Sequence, residues 1–318
     1  MALHPSGKYL YAANETGKGS TVSAFSVEPK TGKLTLLNSL PALGEDPCHL
    51  AFDRTGKYLF VANYSSGNAV VYPILADGKL GEATASVTDK GKLGPDTKRQ
   101  DGPHAHWVGP SADNRFVYVA DLGLDLIFIY QFDAANGHLG VFPRRDVPPD
   151  GPLQTEPLSI QLNPGTGPRH AAISQNGLFI YVLGELKSTI TFFPNPPGPI
   201  QSLPMLPAGF SGRNDAAEIE IHPSGKFLYA SNRGQDSIVV YAIDQSNGKL
   251  TQVEAVPTGG KEPRHFAIDP TGKFLLAENQ NSNSIVEFRI DQASGKLTPT
   301  GEVLTVPSPI CLVFLPVE

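Results

Sequence analysis

The chain has 318 residues, 32 of them Gly and 29 Pro, where average usage would give about 22 and 16. Hydrophobic residues at 40% and charged residues at 18% describe a folded chain with a sizeable core, and the surplus of turn-formers excludes a mainly helical one. The net charge of −6 argues against general affinity for nucleic acid or anionic membrane. No apolar run reaches the length of a membrane span. Met1–Lys8 has neither the basic nor the apolar region of a signal peptide, so a cytoplasmic protein is expected. Cys48 and Cys311 are too few for a disulfide framework or a four-ligand zinc site and read as inert thiols.

One segment recurs along the chain. It reads HPSGKYLYAAN at His4–Asn14, DRTGKYLFVAN at Asp53–Asn63, SADNRFVYVAD at Ser111–Asp121 and SQNGLFIYVLG at Ser174–Gly184. It returns as HPSGKFLYASN at His222–Asn232 and DPTGKFLLAEN at Asp269–Asn279. The turn residues Gly7, Gly56, Asn114, Gly177, Gly225 and Gly272 are 49, 58, 63, 48 and 47 apart. Copies continue into an alternating run, such as Ser237–Asp244, and an Asn-Gly-Lys-Leu or Ser-Gly-Lys-Leu turn, as at Asn247–Leu250 and Ser294–Leu297. The period is two, the runs are rich in Val, Ile, Tyr and Phe, and Gly at the turn supplies positive φ. Each unit therefore reads as four antiparallel strands in about 50 residues, one propeller blade. Gly91–Pro103 is expected as a polar loop over a channel mouth, and Asn195–Ile200 as an exposed loop in place of a hairpin turn.

The innermost strand of each copy starts nine residues before the turn, at Pro47, Pro168 and Pro263 among others. Pro309 opens a further one, and Glu318 stands where its turn glycine would fall; Met1 is only six residues before Gly7. The expectation is all-β: a single seven-bladed propeller domain of four-stranded blades over residues 1–318, with the seventh blade incomplete. It comprises six full repeats and the inner strand of a seventh at 306–318, with about 35–50 N-terminal residues missing from that blade.

Innermost strands line the channel of a propeller, and antiparallel neighbours bring the start of strand one and the end of strand two to one face. Seven residues after each turn stand Asn14, Asn63, Asp121, Gly184, Asn232 and Asn279, which read as strand-end caps. The next position is irregular: Glu15, Tyr64, Leu122, Glu185, Arg233 and Gln280. So are the strand starts, Cys48-His49, His104-Ala-His106, Arg169-His170, Ala217-Glu218 and Arg264-His265. Packing alone favours small apolar residues there, so convergent arginines, histidines and carboxylates mark a candidate active site. For any one residue the bland alternative is a solvated charge or an Arg–Glu tie between blades. His104 and His106 share a strand face and could chelate a metal, but no third ligand stands at metal spacing, so no metal or cofactor is expected.

Gly167-Pro-Arg-His170, Leu183-Gly-Glu-Leu186, Asp101-Gly-Pro-His-Ala-His106, Ser231-Asn-Arg-Gly234 and Pro263-Arg-His-Phe266 resemble the motifs of the seven-bladed propeller lactonases. That family includes propeller-type 6-phosphogluconolactonase and carboxy-cis,cis-muconate cyclase, and the resemblance runs over essentially the whole chain. Gly184 departs from it, standing where the family motif commonly has Asn. The resemblance implies a catalytic set of one His, two Arg and one Glu. These fall on Arg169, Glu185, His106 (or His104) and Arg233, with Arg264 competing for the second arginine. His104, His170, Glu218, Arg264 and His265 would contact substrate. The implied activity is hydrolysis of a small anionic lactone, 6-phosphogluconolactone to 6-phosphogluconate first among them, by a monomer or weak oligomer without cofactor. Glu185 or His106 would activate water, Arg169 would stabilise the oxyanion, and Arg233 and Arg264 would hold a phosphate or carboxylate. Two other readings stay open: a carboxymuconolactone cycloisomerase with the same anion clamp, and a non-catalytic binding platform with its specificity on outer loops.

Overall fold

A computed structural model describes residues 1–141, 157–194 and 201–315; the expected loop at Asn195–Ile200 lies outside them. The alternating runs fold into six antiparallel meanders of the kind the repeat predicts. Blade 1 is Ala2–Leu3, Tyr9–Asn14, Thr21–Val27 and Leu34–Pro41; blade 2 is Pro47–Phe52, Tyr58–Asn63, Asn68–Pro73 and Ala85–Thr88. Blade 3 is Ala105–Pro110, Phe116–Asp121 and Leu126–Asp133, with a fourth strand in two pieces, His138–Gly140 and Leu158–Gln161. Blade 4 is Pro168–Ile173, Phe179–Gly184, Thr189–Pro194 and Gln201–Pro204. Blade 5 is Asp215–Ile221, Phe227–Arg233, Ser237–Ile243 and Leu250–Pro257; blade 6 is Pro263–Ile268, Phe274–Asn279, Ser284–Ile290 and Leu297–Thr305.

The repeating turn takes one conformation throughout. Gly7, Gly56, Gly177, Gly225 and Gly272 have φ between 70 and 72°, and Asn114 has φ 60°. This is the left-handed region that Gly occupies without penalty and Asn tolerates best among the rest. The expected strand at 306–318 differs: residues 306–315 pair with no strand among the described residues, and 316–318 lie outside them. A strand persists through its ladder, and among the described residues no strand pairs with this segment. The loop at 91–103 folds down onto blade 3, where Gly94 N donates to Gly123 O and Gln100 Nε2 to Leu122 O, both at 2.9 Å.

The chain divides into two compact units, Met1–Pro164 and Gly165–Phe314, each of three blades. Within each, the apolar faces of neighbouring blades pack on one another. Leu59, Val61 and Tyr72 meet Tyr11 and Val22 in the first unit; Tyr229 and Val240 meet Phe266, Leu275 and Phe288 in the second. A polar tie recurs across these interfaces. A buried tyrosine on the second strand donates to the hairpin glycine of the next blade: Tyr11 to Gly78 O at 2.7 Å, Tyr181 to Gly248 O at 2.8 Å, Tyr229 to Gly295 O at 2.7 Å. The motif histidines do the same one turn over, His4 Nε2 to Gly56 O at 3.0 Å and His222 Nε2 to Gly272 O at 2.8 Å. These two histidines are thereby structural.

Tyr229→Phe removes a donor from a buried carbonyl and is expected to cost about 1–3 kcal/mol, read as a lowered urea midpoint. Gly295→Ala is expected to cost more, since φ is 73° and the new Cβ would lie 2.5 Å from the Phe227 ring. Wild-type midpoints for both would remove the tie from any role in stability.

Candidate active site

The first strands of blades 2 to 6 each carry a β-bulge near their start. In blade 2 the register passes from Pro47↔Asn63 to His49↔Ala62, skipping Cys48; in blade 6 it passes from Pro263↔Asn279 to His265↔Glu278, skipping Arg264. In blade 4 it jumps from Pro168↔Gly184 to Ala171↔Val182, and in blade 5 from Ala216↔Asn232 to Ile219↔Ala230. Blade 3 skips His106 in the same way. A bulge breaks strict alternation and re-aims side chains. The skipped residues are Cys48, His106, Arg169 with His170, Ala217 with Glu218, and Arg264, seven of the eleven irregular strand-start residues read from sequence.

In the second unit these residues form one bonded cluster. Glu185 follows the second strand of blade 4, its backbone fixed by Glu185 N to Gly167 O at 2.8 Å and Ala216 N to Glu185 O at 3.2 Å. Its carboxylate is 3% exposed and lies between two guanidiniums, Arg169 Nε at 3.0 Å and Arg233 Nη2 at 3.2 Å. Arg169 also donates through Nη1 to Ala217 O, and Nη1 lies 3.3 Å from His170 Nε2. Arg233 donates further to Asp215 O at 3.2 Å and Ala216 O at 3.3 Å. His170 Nδ1 stands 2.9 and 3.1 Å from the two oxygens of Glu218. A guanidinium only donates and a carboxylate only accepts, so the hydrogen of neutral His170 is on Nδ1 and Nε2 carries the lone pair. Glu218 is 3.6 Å from His265 Nε2, and His265 Nδ1 is 2.8 Å from Glu278 Oε1. Arg264 lies close enough to Arg169 for its charge to be felt there, yet makes no hydrogen bond or ion pair with the described residues.

The charges follow from these contacts. Burial lowers Arg169 to about 10, aided by the charges of Arg233 and Arg264 and opposed by Glu185; it remains a cation at neutral pH. Burial also lowers His170, against the pull of Glu218, and keeps the ring neutral. Burial works against the charge on Glu218, but His170, His265 and Arg169 outweigh it and hold the carboxyl well below its ordinary range. His265 goes the other way: burial opposes its charge, and the bond to Glu278 with the nearby Glu218 raises it to about 9.

In the first unit His106 is buried, with Nδ1 3.8 Å from Cys48 Sγ and its ring edge-on to Tyr64 at 5.4 Å. His104 stacks on Tyr64 at 4.4 Å; its Nδ1 is 3.1 Å from Tyr64 O and its Nε2 3.0 Å from Asp101 Oδ1. The cap positions hold as read: Asn63 Nδ2 donates to Ala42 O at 3.1 Å, and Asp121 Oδ1 accepts from His104 N and Leu124 N, each at 2.9 Å. At Gly184 a Cβ would come within 2.4 Å of the Thr166 methyl, so the departure from Asn is matched by its neighbours. Among the described residues, no three or more of His, Cys, Asp and Glu stand together as a metal would require.

Two further acids adjoin the cluster. Glu278 stands six residues after its turn, where the other copies have Ala13, Ala62, Ala120, Leu183 and Ser231. Glu220 stands five residues before its turn, where the others have Ala2, Ala51, Gly109, Ala172 and Ala267. A carboxylate in a column of small residues was the signal available for both. Burial raises Glu220 to about 8, with Glu218 adding to the shift and a bond from Ile268 N at 3.0 Å opposing it.

The unfolded chain releases the Glu220 proton near 4.5 and the folded chain holds it to about 8, so the folded state binds more protons in that window and stability falls as pH rises through it. His265, raised from 6.5 to about 9, adds stability that is complete below the lower value and lost through the upper. Glu220→Gln should therefore reduce the slope of unfolding free energy against pH between about 5 and 8 by about one proton. Urea midpoints at a series of pH values measure this; an unchanged slope would show that Glu220 is ionised in the folded protein.

The family described as "Lactonase, 7-bladed beta-propeller" matches residues 1–314. A 6-phosphogluconolactonase of Bacillus subtilis (strain 168) is 32% identical over 271 residues, covering 84% of this chain and 72% of its own. One of Formosa agariphila is 36% identical over 277 residues, covering 84% and 73%. The solved periplasmic gluconolactonase of Pseudomonas aeruginosa superposes with a TM-score of 0.87 at 30% identity, over 99% of this chain and 87% of its own. With its six described four-stranded blades and the bulge-borne Arg-His and Glu motifs, the chain belongs to the seven-bladed β-propeller lactonase family.

Proposed function

We propose that the chain hydrolyses a small anionic sugar lactone, 6-phosphogluconolactone first among them, at the cluster in its second unit. One observation carries this reading: the bonded series Arg169–His170–Glu218, with Arg264 beside it and without a side-chain partner among the described residues. Glu218 fixes the tautomer of His170 with the lone pair on Nε2; that lone pair accepts from Arg169 Nη1 at 3.3 Å and becomes the general base once the substrate oxygen draws the guanidinium away. Water adds to the lactone carbonyl as Nε2 takes its proton; the tetrahedral oxyanion collapses, and the ring oxygen leaves with that proton to give the open hydroxy acid. Arg169, with Arg233 behind it, faces the developing negative charge.

Of the roles expected from sequence, those of Glu185 and Arg233 change most. Both Glu185 oxygens are engaged by guanidinium, which favours Glu185 as the group that holds Arg169 and Arg233 in place. Arg233 is committed to Glu185 and two carbonyls, so Arg264 is the better grip for a phosphate or carboxylate. The relatives named for 6-phosphogluconolactone support the phosphorylated substrate, and the structural neighbour named for gluconolactone supplies the comparison.

Proton release on adding 6-phosphogluconolactone, gluconolactone or a muconolactone, corrected for spontaneous hydrolysis, tests the reading. His170→Gln is expected to lower kcat by about 100-fold or more. Arg264→Ala is expected to raise KM for the phosphorylated lactone by about tenfold or more. Because burial lowers His170 below 6.5, the acid limb of kcat/KM should fall below the ordinary imidazole range. Loss with His106→Gln and none with His170→Gln would transfer the base to His106. No turnover of any lactone above background would favour a binding platform, and muconolactone turnover without net hydrolysis a cycloisomerase.

A further inference from the structure

Building on the lactonase reading, we propose that Glu278 is a positioning residue. It holds His265 as a cation, so that His265 and Arg264 form a subsite for a doubly charged anionic group and select phosphorylated over unphosphorylated lactones.

Glu278 is fully buried on the second strand of blade 6, in the column that the other copies fill with Ala, Leu or Ser. Packing alone does not call for a carboxylate there, and a buried charge is costly unless paired. Its Oε1 meets His265 Nδ1 at 2.8 Å, while Oε2 has no hydrogen-bond partner among the described residues. His265 is thus the counter-charge of Glu278, and loss of the His265 proton would strand a buried carboxylate.

The other ring nitrogen of His265 is under-committed. Nε2 lies 3.6 Å from Glu218 Oε2, within ion-pair reach but beyond a good hydrogen bond. The His265 side chain is 20% exposed, against 4% for Arg169 and 3% for Glu185, so it stands at the open side of the cluster. Arg264 precedes it on the same bulge and has no protein partner among the described residues. Two adjacent cations, each with N–H groups to spare, suit a dianion such as a phosphate ester better than a neutral hydroxyl.

The groups facing His265 come from every element around it: Glu278 on its neighbouring strand, Glu218 and Glu220 from blade 5, His170 from blade 4, and Cys311 beyond blade 6. Burial opposes its proton; Glu278, Glu218 and Cys311 favour it. Removing Glu278 removes the closest of the favourable charges.

Imidazole NMR of the wild-type protein, with His265→Gln to assign the resonance, reads the cation directly. His265 should stay protonated through pH 8, and inorganic phosphate should shift its resonance. In Glu278→Gln the titration should fall by about one pH unit or more. The ratio of kcat/KM for 6-phosphogluconolactone over gluconolactone should drop about tenfold, mostly through KM, with partial recovery in Glu278→Asp. A wild-type His265 titrating at or below 6.5, or equal losses on both lactones, would overturn the proposal. If neither lactone is turned over, the lactonase reading fails while the titration and phosphate shift still decide this one. If Glu278→Gln does not fold, the wild-type titration and the lactone preference of His265→Gln decide it.

Discussion

An unbroken strand sends successive side chains to opposite faces, so a run such as Arg169-His170 cannot serve one site from regular β structure. The bulge near the start of the first strand in blades 2 to 6 removes that restriction, and the candidate site depends on it. Several features of the repeat serve the bulge. Proline opens the first strand in blades 2, 4 and 6, where a missing N–H costs no ladder bond. An Asn or Asp closes the facing strand in five of six copies, buried in four of them, and Asn63, Asp121 and Asn279 bond backbone groups nearby. Blades 2 to 6 thereby offer a slot of one or two residues out of register, which can be filled for packing or for chemistry.

Where the slot is filled with ions, the cluster also holds blades together. Glu185 joins Arg169 of blade 4 to Arg233 of blade 5, and His170 of blade 4 meets Glu218 of blade 5, which reaches His265 of blade 6. The bland alternative weighed from sequence, arginines and carboxylates tying neighbouring blades, therefore describes Arg233 and Glu185 well. It does not describe Arg264, which ties nothing among the described residues. Structural and functional readings divide within one cluster. The tied members give it rigidity, so that the uncommitted groups can be oriented without further ordering.

The blades were legible because their signals are local and repeated: a positive-φ turn, a period of two and a tyrosine that finds the next glycine carbonyl. The position of the cluster was legible from the columns where repetition fails. Its wiring was not. Arg233 and Arg264 are equivalent as letters, and only side-chain direction shows that one is spent on Glu185 and two carbonyls while the other is not. Glu185 as a base was a reasonable expectation from its motif, but two guanidiniums on one carboxylate are a property of geometry. Glu220 and Glu278 stand out as acids in columns that the other copies fill mostly with Ala, but the groups they face depend on side-chain direction. The segment after Pro309 follows the pattern of a first strand, yet its described residues, 310–315, pair with no strand, since pattern sets which residues could pair and a partner decides whether they do.

The net charge of −6 and a site for anions are compatible because the two are felt over different distances. Exposed charges are screened within about 8–10 Å at physiological salt, whereas those in the cluster interact through poorly screened, buried space. Within the cluster Arg169, Arg233, Arg264 and His265 face Glu185, Glu218 and Glu278, and Glu220 stays neutral below about 8. Three of the four cations are largely neutralised by those carboxylates in direct contact. The surplus positive charge resides on Arg264 and the outward side of His265. Recognition of an anion at such a site depends less on the number of basic residues than on which of them the protein has left without a partner.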